Sequence, residues 1–313
     1  MSFRFNFSVN EDEGESDATS EELEEVHSSN PAPKQIDPLK LDPIPISAEL
    51  IHYSDHLTLL KRQVHDAKLE FCQNVELEDN NSNISKTITE STDLITGVYE
   101  GGLKTWECSL DLCAFLSELD FNFKDKTVLE LGCGSALPGI FCLTKGSTVY
   151  FQDFNEEVIT LITIPNLILN INFEKLMKEI DLKEAALETI VSPQEEEVLK
   201  SRRCRFFSGD WGSFESVLRS EEKNIKDFDI ILTSETLYEK RNYKSLLTVM
   251  KNLTKKRNGF CLIAAKANYF GCSGSLKEFE NLILRDEVFN WEVLKIFDGN
   301  NVRREIVKLS WKL

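Results

Sequence analysis

Glu130, Gly132, Gly134 and Asp153 have the residue types and spacing that a nucleoside-binding site requires. In Thr127-Val-Leu-Glu-Leu-Gly-Cys-Gly-Ser-Ala-Leu-Pro-Gly139 an apolar strand runs into a turn whose glycines let the backbone approach a ligand, and a helix begins from Ala136. About twenty residues on, Thr148-Val-Tyr-Phe-Gln-Asp153 reads as a second strand ending in an acid, the place where a carboxylate grips the 2′- and 3′-hydroxyls of a ribose. The third glycine of Gly-x-Gly-x-x-Gly is missing and no Gly-Lys-Ser/Thr follows, so a pyrophosphate cradle is disfavoured. A cofactor with a ribose and no phosphates fits both facts. S-adenosylmethionine is the common one, with Glu130 near its methionine moiety and Asp153 accepting from its ribose.

These residues need a sheet to hold them. Ser201–Trp211 reads as strand three, Phe228–Ser234 as strand four and Gly259–Lys266 as strand five, each ending in polar or small residues on the edge that binds ligands in a parallel sheet. Helices are predicted over Glu156–Ile171, Phe214–Glu222 and Tyr243–Lys256, the last with Leu246, Leu247, Met250 and Leu253 at helical spacing. Trp291–Phe297 and Arg304–Leu313 supply an antiparallel pair. The alternation predicts an α/β fold, a doubly wound, Rossmann-like sheet of seven strands.

Composition bounds the rest. A chain of 313 residues, 41% hydrophobic, buries one large core. Nine acids and one arginine fall in the first thirty residues, and Pro31, Pro33, Pro38, Pro43 and Pro45 follow, so residues 1–45 are expected to be a disordered acidic tail and linker. Residues 46–93 are expected to be a partly helical extension, and 94–313 the catalytic-type domain. Eight cysteines without a Cys-x-x-Cys pair imply small buried thiols, not disulfides. His52 and His56 lack an acidic or cysteine partner at suitable spacing, so no metal is expected. No apolar run reaches the ~20 residues that span a bilayer, and the acidic N-terminus is unlike a signal peptide. A cytoplasmic or nuclear location is expected. The net charge of −17 argues against nucleic acid as a partner, although Arg202, Arg203 and Arg205 offer a local basic spot.

Ahead of the first strand, Val98–Ser109 carries a Gly-Gly turn into a helix with Leu110, Leu112, Phe115 and Leu116. In a sheet of this class such a segment folds over the cofactor, with Trp106 against its methionine end and Glu107 or backbone at its ammonium group. An aromatic that only fastens the helix to the sheet fits the spacing equally well.

Tyr99-Glu-Gly-Gly-Leu-Lys-Thr-Trp-Glu-Cys108, Leu131-Gly-Cys-Gly-Ser135, Gln152-Asp-Phe-Asn155, Gly209-Asp-Trp211, Thr233-Ser-Glu-Thr236 and Ala265-Lys-Ala-Asn-Tyr-Phe-Gly271 together resemble the fungal and animal protein-histidine N-methyltransferases. The resemblance covers residues 94–313, and Met1-Ser-Phe-Arg-Phe-Asn-Phe7 resembles the opening of family members. It implies a protein acceptor, one histidine of the third large-subunit ribosomal protein, methylated at the ring nitrogen farther from the backbone. It also implies a cofactor set of Thr105, Trp106, Glu107, Cys108, Ser109, Gly132, Asp153, Phe154, Asn155, Gly209, Asp210, Trp211 and Ser234, to which the residue reading adds Glu130 and Gly134. Two departures stand out. Glu130 sits where aspartate is also common, and residues 173–200, rich in Glu and Lys, read as a helical surface insertion.

The chemistry asks mainly for positioning, because a sulfonium methyl is already activated and in-line attack needs orientation and exclusion of water. An imidazole, with a pKa near 6.5, is largely neutral at cytosolic pH, whereas a lysine near 10.4 must first lose its proton. A hydrogen bond to the other ring nitrogen selects the tautomer. Candidates on the ligand edge are Glu235, Thr236, Tyr238, Asn268 and Tyr269, with the Ser234–Tyr238 loop favoured. Two alternatives keep the fold: a lysine methyltransferase, and a non-catalytic, cofactor-dependent chaperone of a basic ribosomal protein. A monomer is expected.

Overall fold

The computed structural model describes residues 30–54, 57–63, 65, 99–179, 186–201, 203–298 and 302–312. The acidic stretch up to residue 29, most of 64–98 with the 93/94 boundary, His56 and Arg202 lie outside the described residues.

Among the described residues eleven strands form two sheets. The large one has β1 (Lys34–Ile36), β4 (Thr127–Leu131), β5 (Thr148–Asp153), β7 (Cys204–Ser208), β8 (Ile230–Ser234), β9 (Phe260–Lys266), β10 (Phe289–Phe297) and β11 (Arg304–Trp311) in the order β1-β7-β5-β4-β8-β9-β11-β10. β7, β5, β4, β8 and β9 run parallel, and β11 and β10 return antiparallel as expected. The small sheet is β3-β2-β6, from β2 (Ile44–Ser54), β3 (Leu57–Arg62) and β6 (Ala186–Val191).

The period-2 alternation of the parallel strands divides the core into two layers. Val128, Phe151, Phe206, Ile230 and Leu232 face one layer, where α1 (Glu107–Glu118), α2 (Leu137–Thr144), α3 (Ile164–Ile171) and the small sheet pack. Leu129, Leu131, Phe207, Ile231 and Ile263 face the other, under α4 (Phe214–Glu221), α5 (Tyr243–Leu253) and α6 (Leu276–Asp286). Among the described residues no helix is long and apolar enough to cross a membrane.

Three expectations are corrected. The linker reading fails from Lys34 onward: β1 pairs antiparallel with β7, Ile36 is buried, and the Asp210 amide donates to the Pro31 carbonyl at 3.1 Å, so this segment adds an eighth strand. Between 46 and 62 the chain forms β2 and β3 rather than helix. The insertion 173–200 contains β6, which completes the small sheet against β2, beside only short helical turns.

The predicted helix over Glu156–Ile171 is also interrupted, by a π-helical turn at Ile159–Thr163 just before Pro165. Proline offers no N–H to the carbonyl of Leu161 four residues back, and the buried Arg62 guanidinium fills that place, with Nη1 2.8 Å from Leu161 O. Asn170 brackets Leu60 on the edge of β3, accepting from its amide at 3.1 Å and donating to its carbonyl at 2.7 Å, while Asn166 accepts from the Arg62 amide at 2.7 Å. The small sheet's edge is thereby covered by side-chain amides rather than left open.

Candidate active site

At the C-terminal ends of β4, β5, β7 and β8 lies a cavity of about 360 Å³. The glycine turn forms its floor. Gly132 and Gly134 have φ of +60° and +50°, a region favourable only to glycine, and a Cβ on Gly132 would stand 2.6 Å from Thr236 Cγ2. Side chains clip the turn in place: Gly132 N donates to Gln152 Oε1 at 3.3 Å, Gly134 N to Asp153 Oδ2 at 2.8 Å, Thr163 Oγ1 to Gly134 O at 2.7 Å, and Asn166 Nδ2 to Ser135 O at 3.0 Å. Gln152 also accepts from Trp211 Nε1 and donates to Gly209 O, both at 2.7 Å. It therefore joins three strand ends.

Asp153 is 5% exposed at the cavity wall and also accepts from the Asn155 amide at 3.3 Å. Burial pushes its carboxyl up to about 6, against the pull of those backbone donors, and Glu100 adds to the rise. Residues 99–106 fold across the opening. Trp106 Nε1 donates to Gly101 O at 3.0 Å, the Glu100 amide to Asn155 Oδ1 at 3.1 Å, and the Tyr238 hydroxyl to the Glu100 carboxylate.

Ser234, Glu235, Thr236 and Tyr238 form a further part of the wall. Glu235 follows β8 with φ +57°, strained for a residue with a side chain, and is 7% exposed. Its Oε1 lies 3.3 Å from Lys266 Nζ and accepts from the Cys108 amide at 3.4 Å, at the N-terminus of α1 where no side chain of the helix's own caps it. Its Oε2 has no partner, and neither has Ser109 Oγ; both residues line the cavity. Burial and the Glu100 carboxylate push the Tyr238 phenol well up, so it stays a donor.

Residues 85–282 match a family model described as "Lysine methyltransferase". "Histidine protein methyltransferase 1 homolog" of Bos taurus is 39% identical over 233 residues, 73% of this chain and 60% of that protein. "Histidine protein methyltransferase 1" of Schizosaccharomyces pombe is 33% identical over 265 residues, 80% of this chain and 76% of that protein. The chain belongs to the histidine protein methyltransferase family. "Protein-lysine N-methyltransferase EFM3" of Chaetomium thermophilum is more distant, 28% identical over 57% of the chain. The chain spans about three-fifths of the length of the Bos taurus relative.

Membership of this family makes S-adenosylmethionine the methyl donor. The cavity suits it. The glycine turn leaves room where a Cβ would intrude, the Asp153 carboxylate is a buried acceptor of the kind a diol requires, and two buried polar atoms, Ser109 Oγ and Glu235 Oε2, lack partners. The lining carries the carboxylates of Glu100, Asp153, Asp210 and Glu235 against the cations of Lys104 and Arg241, an acidic balance that favours a ligand bearing ammonium and sulfonium groups.

Of the residues singled out in the sequence, Trp106, Ser109, Gly132, Gly134, Asp153, Phe154, Gly209, Asp210, Trp211, Ser234, Glu235, Thr236 and Tyr238 line the cavity. The others are placed elsewhere. Glu130, 1% exposed, points into the core beneath α2 and accepts from the Gly139 amide at 2.9 Å, so it does not reach a methionine moiety. Glu107 turns to Arg304 and Lys266, at 3.7 and 3.9 Å. Cys108 is buried in the core, Thr105 lies outside the lining, and Asn155 holds the Glu100 amide. Asn268 is exposed and pairs with Ser275, so it drops out as an imidazole-orienting candidate. Tyr269 receives the Lys266 amide at 3.2 Å and meets Tyr238 edge to face. Sequence reasoning passed over Glu100, Gly102, Lys104, Arg241 and Gln152 as site residues. The signal for Gln152 was a polar residue near the end of a buried strand, which demands partners.

Proposed function

We propose that this protein transfers a methyl group from S-adenosylmethionine to a histidine of the third large-subunit ribosomal protein, at the ring nitrogen farther from the backbone. When bound, the cofactor supplies an activated methyl on a sulfonium centre. The chain's own residues bind, orient and exclude water. Asp153 is suited to hold the ribose hydroxyls and the glycine turn to admit the methionine end. Glu235 Oε2 accepts a hydrogen bond from the N–H of the acceptor ring, which leaves the far nitrogen's lone pair free to attack.

The observation that carries this reading is the Glu235 carboxylate, in a residue that lines the cavity, with one oxygen on Lys266 and the other buried without a hydrogen-bond partner. A lysine acceptor would bring a second ammonium beside Lys266, where like charges oppose each other in a poorly solvated site; a neutral imidazole meets no such cost. The relatives named as histidine methyltransferases support the same acceptor. The description of the family model favours lysine as the second reading. Incubation with tritiated S-adenosylmethionine and the purified ribosomal protein, free and within large subunits, followed by mass spectrometry of the labelled residue, separates the two. Label on one histidine is expected. Label on lysine, or no transfer, overturns the proposal.

A further inference from the structure

Lys266 closes β9 at the cavity's acceptor end, yet it is not among the cavity's lining residues and is 4% exposed. Burying an ammonium is costly unless charge and hydrogen bonds compensate it. Its Nζ lies 3.3 Å from Glu235 Oε1 and 3.9 Å from Glu107 Oε2, and 5.4 Å from the centre of the Trp106 ring. Glu107 is itself shared with Arg304, which takes Asp111 at 2.6 Å. Two cations and three carboxylates thus run from β11 through α1 to the cavity wall, and the chain of pairs ends on Glu235 Oε2, a buried carboxylate oxygen without a partner.

We propose that Lys266 is a positioning residue for methyl transfer: it engages Glu235 through Oε1, so that Oε2 alone is left for the acceptor ring. The inference rests on the histidine reading above. A pair that served only to tie β9 to the Ser234–Tyr238 loop would be expected to satisfy both carboxylate oxygens. Here one is satisfied three ways over, by Lys266, by the Cys108 amide and by the partial positive charge at the start of α1, while the other is left bare. The left-handed backbone at Glu235 is strained in the same place, and strain of this kind persists where surrounding contacts hold a functional geometry.

The groups facing the pair are Glu107, Cys108 and Asp111 from α1, Arg304 from β11, and Tyr269 and Cys272 from the loop after β9. Burial and the Glu235 carboxylate push Cys108 and Tyr269 well up, so both stay neutral and leave Lys266 as the cation next to Glu235. Removing that cation strands a carboxylate in a poorly solvated wall, where the protonated form is favoured.

The test is the pH profile of Lys266→Met, Lys266→Gln and Lys266→Arg with the purified third large-subunit ribosomal protein as acceptor. In the Met and Gln variants kcat near neutral pH is expected to fall roughly tenfold or more, with KM little changed, and the acidic limb of the kcat profile to move to higher pH. Lys266→Arg should recover most of the rate and restore the limb. The Gln variant is read in the same way if the Met variant does not fold, and calorimetric binding of S-adenosylhomocysteine identifies the folded proteins. A limb that stays in place in a folded neutral variant, whatever the loss of rate, means a purely structural pair and overturns the proposal.

A second measurement needs no acceptor. Infrared titration should show, beyond the protonated-carboxyl signal that Glu130 and Asp153 give in the wild type, an additional band in Lys266→Met that disappears in Lys266→Met/Glu235→Gln. Absence of that band overturns the coupling. Its presence in a protein that labels no histidine rejects the acceptor reading while the link between Lys266 and Glu235 stands.

Discussion

At one end of the cavity, Gly132, Gly134 and Asp153 belong to two neighbouring strands and the turns that follow them, and hydrogen bonds from main-chain amides to the Gln152 and Asp153 side chains hold them. At the other end, Glu235, Lys266, Ser109 and Trp106 come from the end of β8, the end of β9 and the start of α1, and a buried ion pair with a helix N-terminus holds them. The first end is shaped by backbone conformation, so it tolerates little change of volume. The second is shaped by charge, so it tolerates volume better than loss of an ion. Substitutions should therefore separate the ends: cofactor binding fails at one, turnover and its pH dependence at the other.

The largest effect is expected for Gly132→Arg. A side chain at φ +60° that also meets Thr236 should weaken S-adenosylhomocysteine binding about a hundredfold or more, measured by calorimetry on folded protein. Wild-type affinity would place the cofactor elsewhere.

Glu235→Gln removes the charge at the acceptor end and nearly keeps the shape. We expect kcat to fall roughly a hundredfold while cofactor affinity changes little, and steady-state kinetics alongside calorimetry would show the split. Parallel losses in both would mean that the two ends are not separable.

Asp153→Ala should cost about 1.5–3 kcal/mol of cofactor binding for each charge-assisted bond lost. The wild type should show a pH signature as well. The carboxyl titrates at about 6, raised from 3.8 by burial, and ribose hydroxyls donate to the anion, so affinity should fall as pH drops through about 6. Asp153→Asn should flatten that dependence; an unchanged slope would assign it to another group.

The smallest effect on binding is expected for Glu130→Gln, because Glu130 faces the core. Its effect should appear in stability instead. Burial raises this carboxyl from 4.5 to about 8, so the folded state favours the protonated form. Its contribution is complete below about 4.5 and is lost as pH rises through about 8. Glu130→Gln should melt higher than the wild type above that pH and bind S-adenosylhomocysteine normally. Weakened binding would bring Glu130 back to the cavity.

Local pattern made the cofactor end legible from the chain alone. Val128–Leu131 and Thr148–Asp153 are apolar runs of strand length, and a glycine pair followed by helix formers leaves few backbone paths, so β4, β5 and the turn between β4 and α2 stand where the residue pattern put them. Glu130 shows where such reading stops. In a strand covered on both faces by helices, hydrophobic alternation does not tell which face a lone acid takes, and the pleat sends Glu130 to the side opposite Leu129 and Leu131.

The amino-acid sequence by itself determined the parallel strands, the glycine turn, the acid that ends β5 and the loop after β8, because each depends on residues a few positions apart. Only the tertiary structure decided that Lys34–Ile36 would join the sheet, that Asn166 and Asn170 would cover β3, that Gln152 would join three strand ends, and that Lys266 would meet Glu235. Such pairings join groups far apart in the chain, and no local periodicity records them. They form because burying a polar group or an ion without a partner is too costly, and which partner is in reach depends on how the layers pack.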